Sequence, residues 1–326
     1  MQPKISVALC TYNGEKFIEL QLESIFQQSL AVDEIIICDD GSTDKTIEII
    51  NAASKKYPGI IQLHINKTNL RSVKNFEKDI SLTTGDYIFL SDQDDLWHKD
   101  KVKKIIAAFN ENPKVEGVFT DATLINDDGN KISGYTLWQL AMFNYGMIEK
   151  FNGFWKIFQL NQNMVTGATF CFSKKAKEFI FPFPISTYFF HDEWIALHLA
   201  SRGSLMALQE HLTFYRIHTS QQVGDIMLQR YEKEREYSDW ILGFKEPRNF
   251  GEYLKSYKRA YTIYLKFIDL KKNAGETSLD IDALIKGSAA NFENIGEKMK
   301  KRYPISFPVK RAIDKIRNKR QLKPLQ

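Results

Sequence analysis

Residues 5–14 read ISVALCTYNG, an apolar run of strand type that ends in a polar turn containing glycine. Residues 34–44 repeat the pattern as EIIICDDGSTD, and residues 87–97 repeat it as YIFLSDQDDLW. Short apolar runs with many β-branched residues are typical of strands that are buried on both faces of a parallel sheet. Between the first two runs, residues 16–28 carry apolar side chains at near-helical spacing. The pattern therefore predicts a strand–helix–strand unit.

The first half of the chain continues this alternation. Apolar spacing predicts further helices over residues 46–54 and 76–82, each followed by another strand. We therefore predict an α/β fold with a doubly wound sheet for residues 1–225. Residues 226–326 are rich in Glu, Lys and Tyr at helical spacing, which predicts a helical C-terminal region.

The composition is that of an ordinary globular protein, and 326 residues suffice for one large and one smaller domain. Three cysteines lie far apart inside apolar runs, which argues against a disulfide framework and against a zinc site. The N-terminus lacks the pattern of a signal peptide, and no apolar run reaches the roughly 18 residues that a membrane span needs. We therefore expect a cytoplasmic protein.

Three polar clusters follow the predicted strands directly, namely Thr11 to Gly14, Asp39 to Ser42 and Asp92 to Asp95. In doubly wound sheets, ligands bind at the carboxyl ends of the strands, where the connecting loops converge. The third cluster concentrates negative charge that Mg²⁺ or Mn²⁺ would neutralise, although an acidic turn capping a helix from Lys99 onward is the alternative. The second cluster could accept hydrogen bonds from a nucleobase and a ribose, or could form a turn with an N-cap.

Taken together, the three clusters resemble family 2 glycosyltransferases of the GT-A fold in residue type, order and spacing. The forms SDQDDLW at residues 91–97 and HDEW at residues 191–194 are similar to bacterial rhamnosyltransferase-like members, which build polysaccharides and O-antigens. The resemblance covers roughly residues 3–225. It implies a GT-A-type doubly wound mixed sheet whose first half is a Rossmann-like nucleotide-binding unit.

The resemblance also implies an activity. The expected reaction is the inverting, metal-dependent transfer of a sugar from a nucleoside-diphosphate sugar to a hydroxyl group. The first candidate donor is dTDP-rhamnose and the next is a UDP-sugar. The implied acceptor is a growing, lipid-linked surface polysaccharide or O-antigen glycan.

On the nucleotide side, the resemblance assigns roles to five residues. Thr11, Tyr12 and Asn13 are expected to line the nucleotide pocket, and Asp40 is expected to bind the base. Lys74 stands where relatives often carry an arginine near the nucleotide. These residues form the predicted nucleotide site.

The resemblance assigns the metal site to the acid cluster. Asp94 matches the second carboxylate of the DxD motif of the family and is the expected direct ligand of Mg²⁺ or Mn²⁺. Asp92 is expected nearer the ribose or a metal-bound water. His218, in the segment YRIH at residues 215–218, is expected to complete the metal site or to touch the diphosphate.

Asp192 aligns with the general base of the family, and His191 stands where relatives usually carry a glutamate. An inverting transfer needs such a carboxylate to take the proton of the acceptor hydroxyl. Gly167 belongs to the expected acceptor-side loop, and the resemblance places His191, Glu193 and Trp97 with it around the two sugars. Without the resemblance, Asp192 and Glu193 are equally well explained as surface charges on a helix.

The C-terminal end carries the charge asymmetry of the chain. Residues 1–225 have a net charge of −5, whereas residues 226–326 have a net charge of +10. From Pro308 onward, apolar residues recur at helical spacing and basic residues cover much of the remaining surface. This basic amphipathic segment suits an anionic membrane, so we expect peripheral contact with the inner face of the cell membrane. A solvated tail is the alternative, and no nucleic acid is expected as a partner.

Three other functions share parts of the pattern. A nucleotidyltransferase of related fold would need a glycine-rich phosphate loop near the first strand, where this chain has Thr11-Tyr12-Asn13. A dehydrogenase would show GxGxxG at the same place, and the sequence has none. A sugar-nucleotide-binding protein without transfer activity would have no need of both Asp94 and Asp192. Glycosyl transfer therefore accounts for more of the motifs than any of these three alternatives.

Overall fold

The computed structural model describes residues 2–160, 163–186, 188–218, 229, 231 and 245–316, with side chains up to residue 312. Its strands are β1 Ile5–Thr11, β2 Glu34–Asp39, β3 Ile61–Ile65, β4 Tyr87–Ser91, β5 Leu96–Trp97, β6 Gly117–Ile125, β7 Lys131–Thr136, β8 Phe170–Ser173 and β9 Leu205–Arg216. They form one mixed sheet in the order β3-β2-β1-β4-β8-β6-β9-β5, with β7 paired to β6. Strands β1 to β4 run parallel, and β8 lies antiparallel between β4 and β6.

The helices of the described part cover the sheet and form the C-terminal region. They are α1 Ile18–Phe26, α2 Thr46–Lys56, α3 Arg71–Leu82, α4 Lys101–Glu111, α5 Leu137–Leu140, α6 Gly146–Lys150, α7 Phe154–Leu160, α8 Lys177–Ile180, α9 His191–Ser201, α10 Phe250–Asn273, α11 Ile281–Arg302 and α12 Ser306–Ile316. A short 3-10 turn, Gly167–Thr169, precedes β8. Within these ranges, no helix is long and apolar enough to cross a membrane.

The parallel strands bring the polar clusters to one edge of the sheet. In the register of β1 with its neighbours, Thr11 lies opposite Asp39, and Leu9 lies opposite Ser91. The loops that follow β1, β2 and β4 therefore emerge side by side. This arrangement confirms the predicted α/β fold with a doubly wound first half.

Two apolar layers enclose the sheet because neighbouring residues of a strand point to opposite faces. Ala8 belongs to the layer that also contains residues of α3 and α9, whereas Val7 and Leu9 belong to the layer beneath α1 and α4. The burial of these side chains on both faces explains why the strands of the first half read as continuous apolar runs.

The C-terminal helices share a core with the sheet. Trp194 of α9, Phe267 and Leu270 of α10, and Leu284 of α11 belong to one cluster of buried side chains. The predicted helical character of this region is therefore observed in α10 to α12. The predicted boundary between residues 225 and 226 lies outside the described residues.

Candidate active site

The loop between β4 and β5, residues 92–95, forms the acid loop of the site. Asp94 is buried, and its Oδ2 atom lies 2.8 Å from the Nε2 atom of His218. The His218 ring packs against Phe17, with 5.2 Å between the ring centroids. The structure thus brings together Asp94 and His218, which lie 124 positions apart in the sequence.

Arg216, at the end of β9, holds the acid loop in place through hydrogen bonds. Its backbone N–H donates to Oδ1 of Asp95 at 2.8 Å, and its Nε donates to the carbonyl oxygen of Asp94 at 2.7 Å. Its Nη1 donates to the carbonyl oxygens of Asn126 and Asp127, each at 2.8 Å. Arg216 stands two positions before His218 in the segment YRIH at residues 215–218, but the sequence predicted no role for it.

Burial and mutual repulsion shift the acid loop towards the protonated state. The pKa of Asp92 is raised to about 7, first by burial and then by the charges of Asp94 and Asp192. The pKa of Asp95 is raised well above its usual range, again by burial first. No described side chain donates a hydrogen bond to the carboxylate of Asp92, and Oδ2 of Asp95 has no partner in the described part of the chain. Burial and the proximity of the carboxylates thus disfavour their charged forms in the absence of a bound cation.

These residues fit a divalent cation in their chemistry. Asp92 and Asp94 offer hard oxygen donors, and His218 offers an imidazole nitrogen. Among the described residues, however, no three His, Cys, Asp or Glu side chains lie close enough together to form a metal site by themselves. Magnesium-type ions commonly take one or two carboxylates and complete their shell with water and substrate phosphates. The acid loop is suited to that kind of shared coordination.

A buried ammonium group lies behind the acid loop. Lys101 is fully buried, and its Nζ donates to the carbonyl oxygen of Ala168 at 2.6 Å. Burial lowers the pKa of Lys101 to about 7, while the charges of Asp95 and Asp92 act in the opposite direction. The same Nζ atom lies 4.0 Å from the centre of the Trp97 ring.

The position of Trp97 differs from the sequence-based expectation. Trp97 was expected near the sugars, but it lies in the apolar layer beneath α1 and α4 and is only 4% exposed. The reason is that β5 pairs with β9, which turns the Trp97 indole towards Phe89 and Lys101. We therefore leave Trp97 out of the site.

Asp192 lies in the first turn of α9 and is held by three donors. Its Oδ2 accepts from the backbone N–H of Gly167 at 3.0 Å. Its Oδ1 accepts from Nδ2 of Asn163 at 3.1 Å and from the backbone N–H of Glu193 at 2.6 Å. Burial, with the charge of Glu193, raises the pKa of Asp192 to about 7. Because the charge of Asp192 also raises the pKa of Asp92, the two carboxylates belong to one electrostatic site.

The neighbours of Asp192 on α9 face inward. His191 stacks on Phe76 with 3.7 Å between ring centroids, and burial lowers its pKa to about 3, so its ring is neutral. Neither ring nitrogen has a hydrogen-bond partner among the described residues. Glu193 contacts Lys266 of α10 through both carboxylate oxygens, at 2.6 and 2.5 Å. These contacts place Glu193 in an ion pair between helices, away from the expected sugar contact.

On the nucleotide side, the loop after β1 is tied to both neighbouring loops. Oγ1 of Thr11 donates to Oδ2 of Asp39 at 2.7 Å, and Oδ1 of Asn13 accepts from the backbone N–H of Thr43 at 2.9 Å. The amide of Gln93 accepts from the Tyr12 backbone N–H at 2.9 Å and donates to the Tyr12 carbonyl oxygen at 3.1 Å. The Tyr12 side chain itself is 51% exposed.

Asp40 and Lys74 lie around α3. The carboxylate of Asp40 accepts from the backbone N–H groups of Leu70 at 2.7 Å and Arg71 at 2.8 Å, and so caps the start of the helix. Nζ of Lys74 donates to Oε2 of Glu77 at 2.6 Å and to the carbonyl oxygen of Phe183 at 2.9 Å. The Lys74 ammonium group is thus engaged by Glu77 of the same helix and by the backbone at Phe183.

Several proteins of known name are similar to this chain. The dTDP-rhamnosyl transferase RfbG of Shigella flexneri is 46% identical over 103 residues, which are 30% of this chain and 35% of that protein. The putative glycosyltransferase EpsE of Bacillus subtilis is 35% identical over 127 residues, or 39% of this chain and 46% of EpsE. The chain therefore spans less than half the length of these two relatives.

Solved structures share the fold at low sequence identity. The chain is similar to S. aureus TarS 1–349 in complex with UDP-GlcNAc, with a TM-score of 0.54, 15% identity, and coverage of 91% of this chain and 73% of TarS. It is also similar to the mannosyltransferase PcManGT from Pyrobaculum calidifontis in complex with GDP-Man and Mn²⁺, with a TM-score of 0.52, 16% identity, and coverage of 89% and 80%. These neighbours have the GT-A fold, as does this chain. A model of the family described as glycosyl transferase family 2 matches residues 6–174, more than half of the chain, and the protein belongs to that family.

Proposed function

We propose that this protein transfers a sugar from a nucleoside-diphosphate sugar to a hydroxyl group, with inversion and with the help of a divalent cation. One observation carries the proposal. Asp192, fixed by the backbone of Gly167, belongs to the same electrostatic site as Asp92 of the acid loop. The proposed reaction centre thus combines a proton acceptor, Asp192, with the carboxylates of the acid loop, which suit a cation.

In the proposed reaction, Asp192 takes the proton of the acceptor hydroxyl while that oxygen bonds to the anomeric carbon of the donor. The bond from the anomeric carbon to the phosphate oxygen breaks, and its electron pair leaves with the nucleoside diphosphate. The three donors on Asp192 hold its carboxylate in place for the proton transfer. Mg²⁺ or Mn²⁺, held by Asp94 with Asp92 and His218, would stabilise the charge on the leaving diphosphate.

For the donor, we propose dTDP-rhamnose first and a UDP-sugar next. The similarity to the dTDP-rhamnosyl transferase RfbG supports the first choice, and the similarity to TarS, bound to UDP-GlcNAc, supports the second. Thr11, Tyr12, Asn13 and Asp40 remain the proposed nucleotide site. Asp40 has one carboxylate oxygen, Oδ2, that accepts a single hydrogen bond and retains capacity for another. We leave Lys74 out because its ammonium group is engaged elsewhere.

For the acceptor, we propose a lipid-linked surface glycan that the protein reaches from the inner face of the membrane. Helix α12 supports this proposal because exposed apolar side chains lie beside half-buried basic ones. Ile305 is 77% exposed just before the helix, and Val309 is 52% exposed within it, next to Lys310 and Arg311. Such a helix binds anionic lipid surfaces through both kinds of contact. The end of the predicted basic segment, from residue 317, lies outside the described residues.

The proposal is tested with Asp94→Ala and Asp192→Asn, and with Asp128→Asn, an exposed carboxylate on the turn after β6, as the control. Donor hydrolysis and transfer are measured with dTDP-rhamnose and UDP-sugars at varied Mn²⁺, and binding of dTDP, UDP and GDP is measured by thermal shift. We expect Asp192→Asn to lower transfer by about 10²- to 10⁴-fold while nucleotide binding persists. We expect Asp94→Ala to abolish the effect of Mn²⁺ on nucleotide binding.

Two outcomes would contradict the proposal. If Asp94→Ala kept both turnover and metal dependence, the acid loop would not be the metal site. If the wild-type protein bound nucleotides but neither hydrolysed nor transferred any sugar, it would be a sugar-nucleotide-binding protein instead.

A further inference from the structure

A buried ion pair connects the C-terminal helix α10 to the first turn of α9. Nζ of Lys266 lies 2.6 and 2.5 Å from the two carboxylate oxygens of Glu193. The two side chains are 15% and 4% exposed. The same ammonium group lies 4.3 Å from the centre of the Phe189 ring, just before α9. Lys266 therefore lies deep between the two helices, outside the segment that matches the family model.

The ion pair adjoins the proposed base directly. Glu193 follows Asp192, and its backbone N–H donates to Oδ1 of Asp192 at 2.6 Å. The charged groups that act on Asp192 are Glu193 on its own helix, Lys266 on α10 and Asp92 on the acid loop, while His191 beside it is neutral. Glu193 raises the pKa of Asp192, and Lys266 lowers it. The two partners of the ion pair thus have opposite electrostatic effects on the base.

Other contacts fix α10 in this position. Oγ of Ser186 donates to Oδ2 of Asp269 at 2.8 Å, one turn along α10 from Lys266. The Phe267 side chain is buried against Phe189, with 6.1 Å between ring centroids. Because α10 is anchored immediately after Lys266, the ammonium group has little freedom to leave Glu193.

We propose that Lys266 is a positioning residue for Asp192: by pairing with Glu193 inside the protein, it neutralises the carboxylate next to the proposed base and holds the first turn of α9 in place. The C-terminal region thereby supplies a part of the reaction centre. This inference rests on the proposed function only in calling Asp192 the base. The electrostatic relation between Lys266, Glu193 and Asp192 is independent of that role.

The test compares Lys266→Met, Glu193→Gln and the double variant. The Asp192 titration is followed by ¹³C NMR of protein labelled at the Asp side-chain carboxyl carbon, with Asp192→Asn to assign the signal. We expect the pKa of Asp192 to rise by about half a unit or more in Lys266→Met and to fall in Glu193→Gln. In the double variant it should lie between these values, because both opposing charges are gone. The midpoint of the pH dependence of kcat should move in the same directions, with little change in donor KM.

Lys271→Met is the matched control, since Lys271 lies on the same helix and pairs with Asp282 at an exposed position. It should leave the Asp192 titration unchanged, and Lys266→Arg should restore wild-type behaviour. If Lys266→Met fails to fold because Glu193 is left unpaired, the shifts of the other two variants still decide the question. A titration that is the same in every folded variant would overturn the inference. If the titration shifts as expected but kcat does not follow, the role of Asp192 as base fails and the electrostatic inference stands.

Discussion

At the scale of single residues, Asp79 is a buried carboxyl group that forms no ion pair with any residue that the structure describes. It is fully buried on α3, its Oδ2 lies 3.7 Å from the Sγ atom of Cys10, and its Oδ1 has no hydrogen-bond partner among the described residues. Burial raises the pKa of Asp79 well above its usual range. The folded protein therefore holds a proton on Asp79 under conditions in which the unfolded chain has released it.

We expect Asp79→Asn to be more stable than the wild-type protein at neutral pH. The folded state binds more protons than the unfolded state here, so wild-type stability falls as pH rises from about 4, the unfolded value, towards the raised native pKa. Asparagine cannot ionise, so the advantage of the variant should grow by up to about 1.4 kcal/mol per pH unit in that window.

Urea unfolding between about pH 5 and pH 8 measures this difference. Asp128→Asn, which alters an exposed carboxylate, is the control and should show no pH-dependent gain. A stability difference between Asp79→Asn and the wild-type protein that did not change over this pH range would show that the pKa of Asp79 is not raised in the folded protein.

The sequence predicted which residues belong to the proposed reaction centre better than it predicted where their side chains point. Asp94 contacts His218, and Asp192 acts electrostatically on Asp92 of the same loop, so the residues that the resemblance assigned remain the proposed site. Trp97 and Glu193 occupy the same motifs but point into the core and into an ion pair. A motif specifies neighbours along the chain, whereas the direction of each side chain depends on pairing and packing with distant segments. Lys266, the partner of Glu193, lies 73 positions away and has no local signal.

At the scale of secondary-structure elements, the 3-10 turn Gly167–Thr169 lies between the buried Lys101 and Asp192, the proposed base. Ala168 accepts a hydrogen bond from Lys101, and the Gly167 N–H donates to Asp192. A Cβ atom at Gly167 would lie 2.8 Å from Nε2 of His191, whose ring is stacked on Phe76. The turn therefore requires glycine because a closely packed ring occupies the space.

We expect Gly167→Ala to lower kcat by at least about tenfold and to cost about 1–3 kcal/mol of stability, since the added methyl group displaces the turn that holds Asp192. Steady-state kinetics and thermal unfolding measure the two effects. The double variant Gly167→Ala/His191→Ala should recover part of both losses, because the smaller side chain makes room. A single variant with wild-type kcat would show that the turn does not position Asp192.

Element prediction succeeded where periodicity was strong. The parallel strands β1 to β4 are five to seven residues long, β1, β2 and β4 are apolar over most of their length, and the helices between them carry apolar residues at helical spacing. The two-residue strand β5 was not predicted, because two residues carry no periodicity. The antiparallel placement of β8 between β4 and β6 could not be read from the sequence either, since an apolar run looks the same in both directions.

At the scale of the whole molecule, the C-terminal helices complete the core rather than form a separate layer. Phe267 and Leu270 of α10 and Leu284 of α11 are buried with Trp194 of α9. Helical spacing predicted these helices, but it could not show that their apolar sides cover α9, because that contact joins segments far apart in the chain. Long-range packing of this kind leaves no mark on local periodicity.

We expect a chain that ends at residue 245 to lose cooperative folding. Each fully buried Leu or Phe side chain contributes about 1.5–3 kcal/mol to the free energy of unfolding. Because domains are stable by only roughly 5–15 kcal/mol, losing several such side chains removes most of that stability. Thermal unfolding by circular dichroism, together with size-exclusion chromatography, tests this. A chain that ends at residue 316 is the control and should unfold like the full protein. A cooperative transition of the shorter chain near the wild-type Tm would show that the remaining residues fold without α10 to α12.

The double hydrogen bond between the Gln93 amide and the Tyr12 backbone has a thermodynamic consequence. It joins the loop that is proposed to receive the nucleotide to the loop that is proposed to receive the metal. A ligand that orders either loop then lowers the entropic cost of ordering the other. Linkage requires the coupling to be reciprocal, so the factor by which a cation tightens nucleotide binding equals the factor by which the nucleotide tightens cation binding. One side-chain amide would thus couple the two proposed binding events.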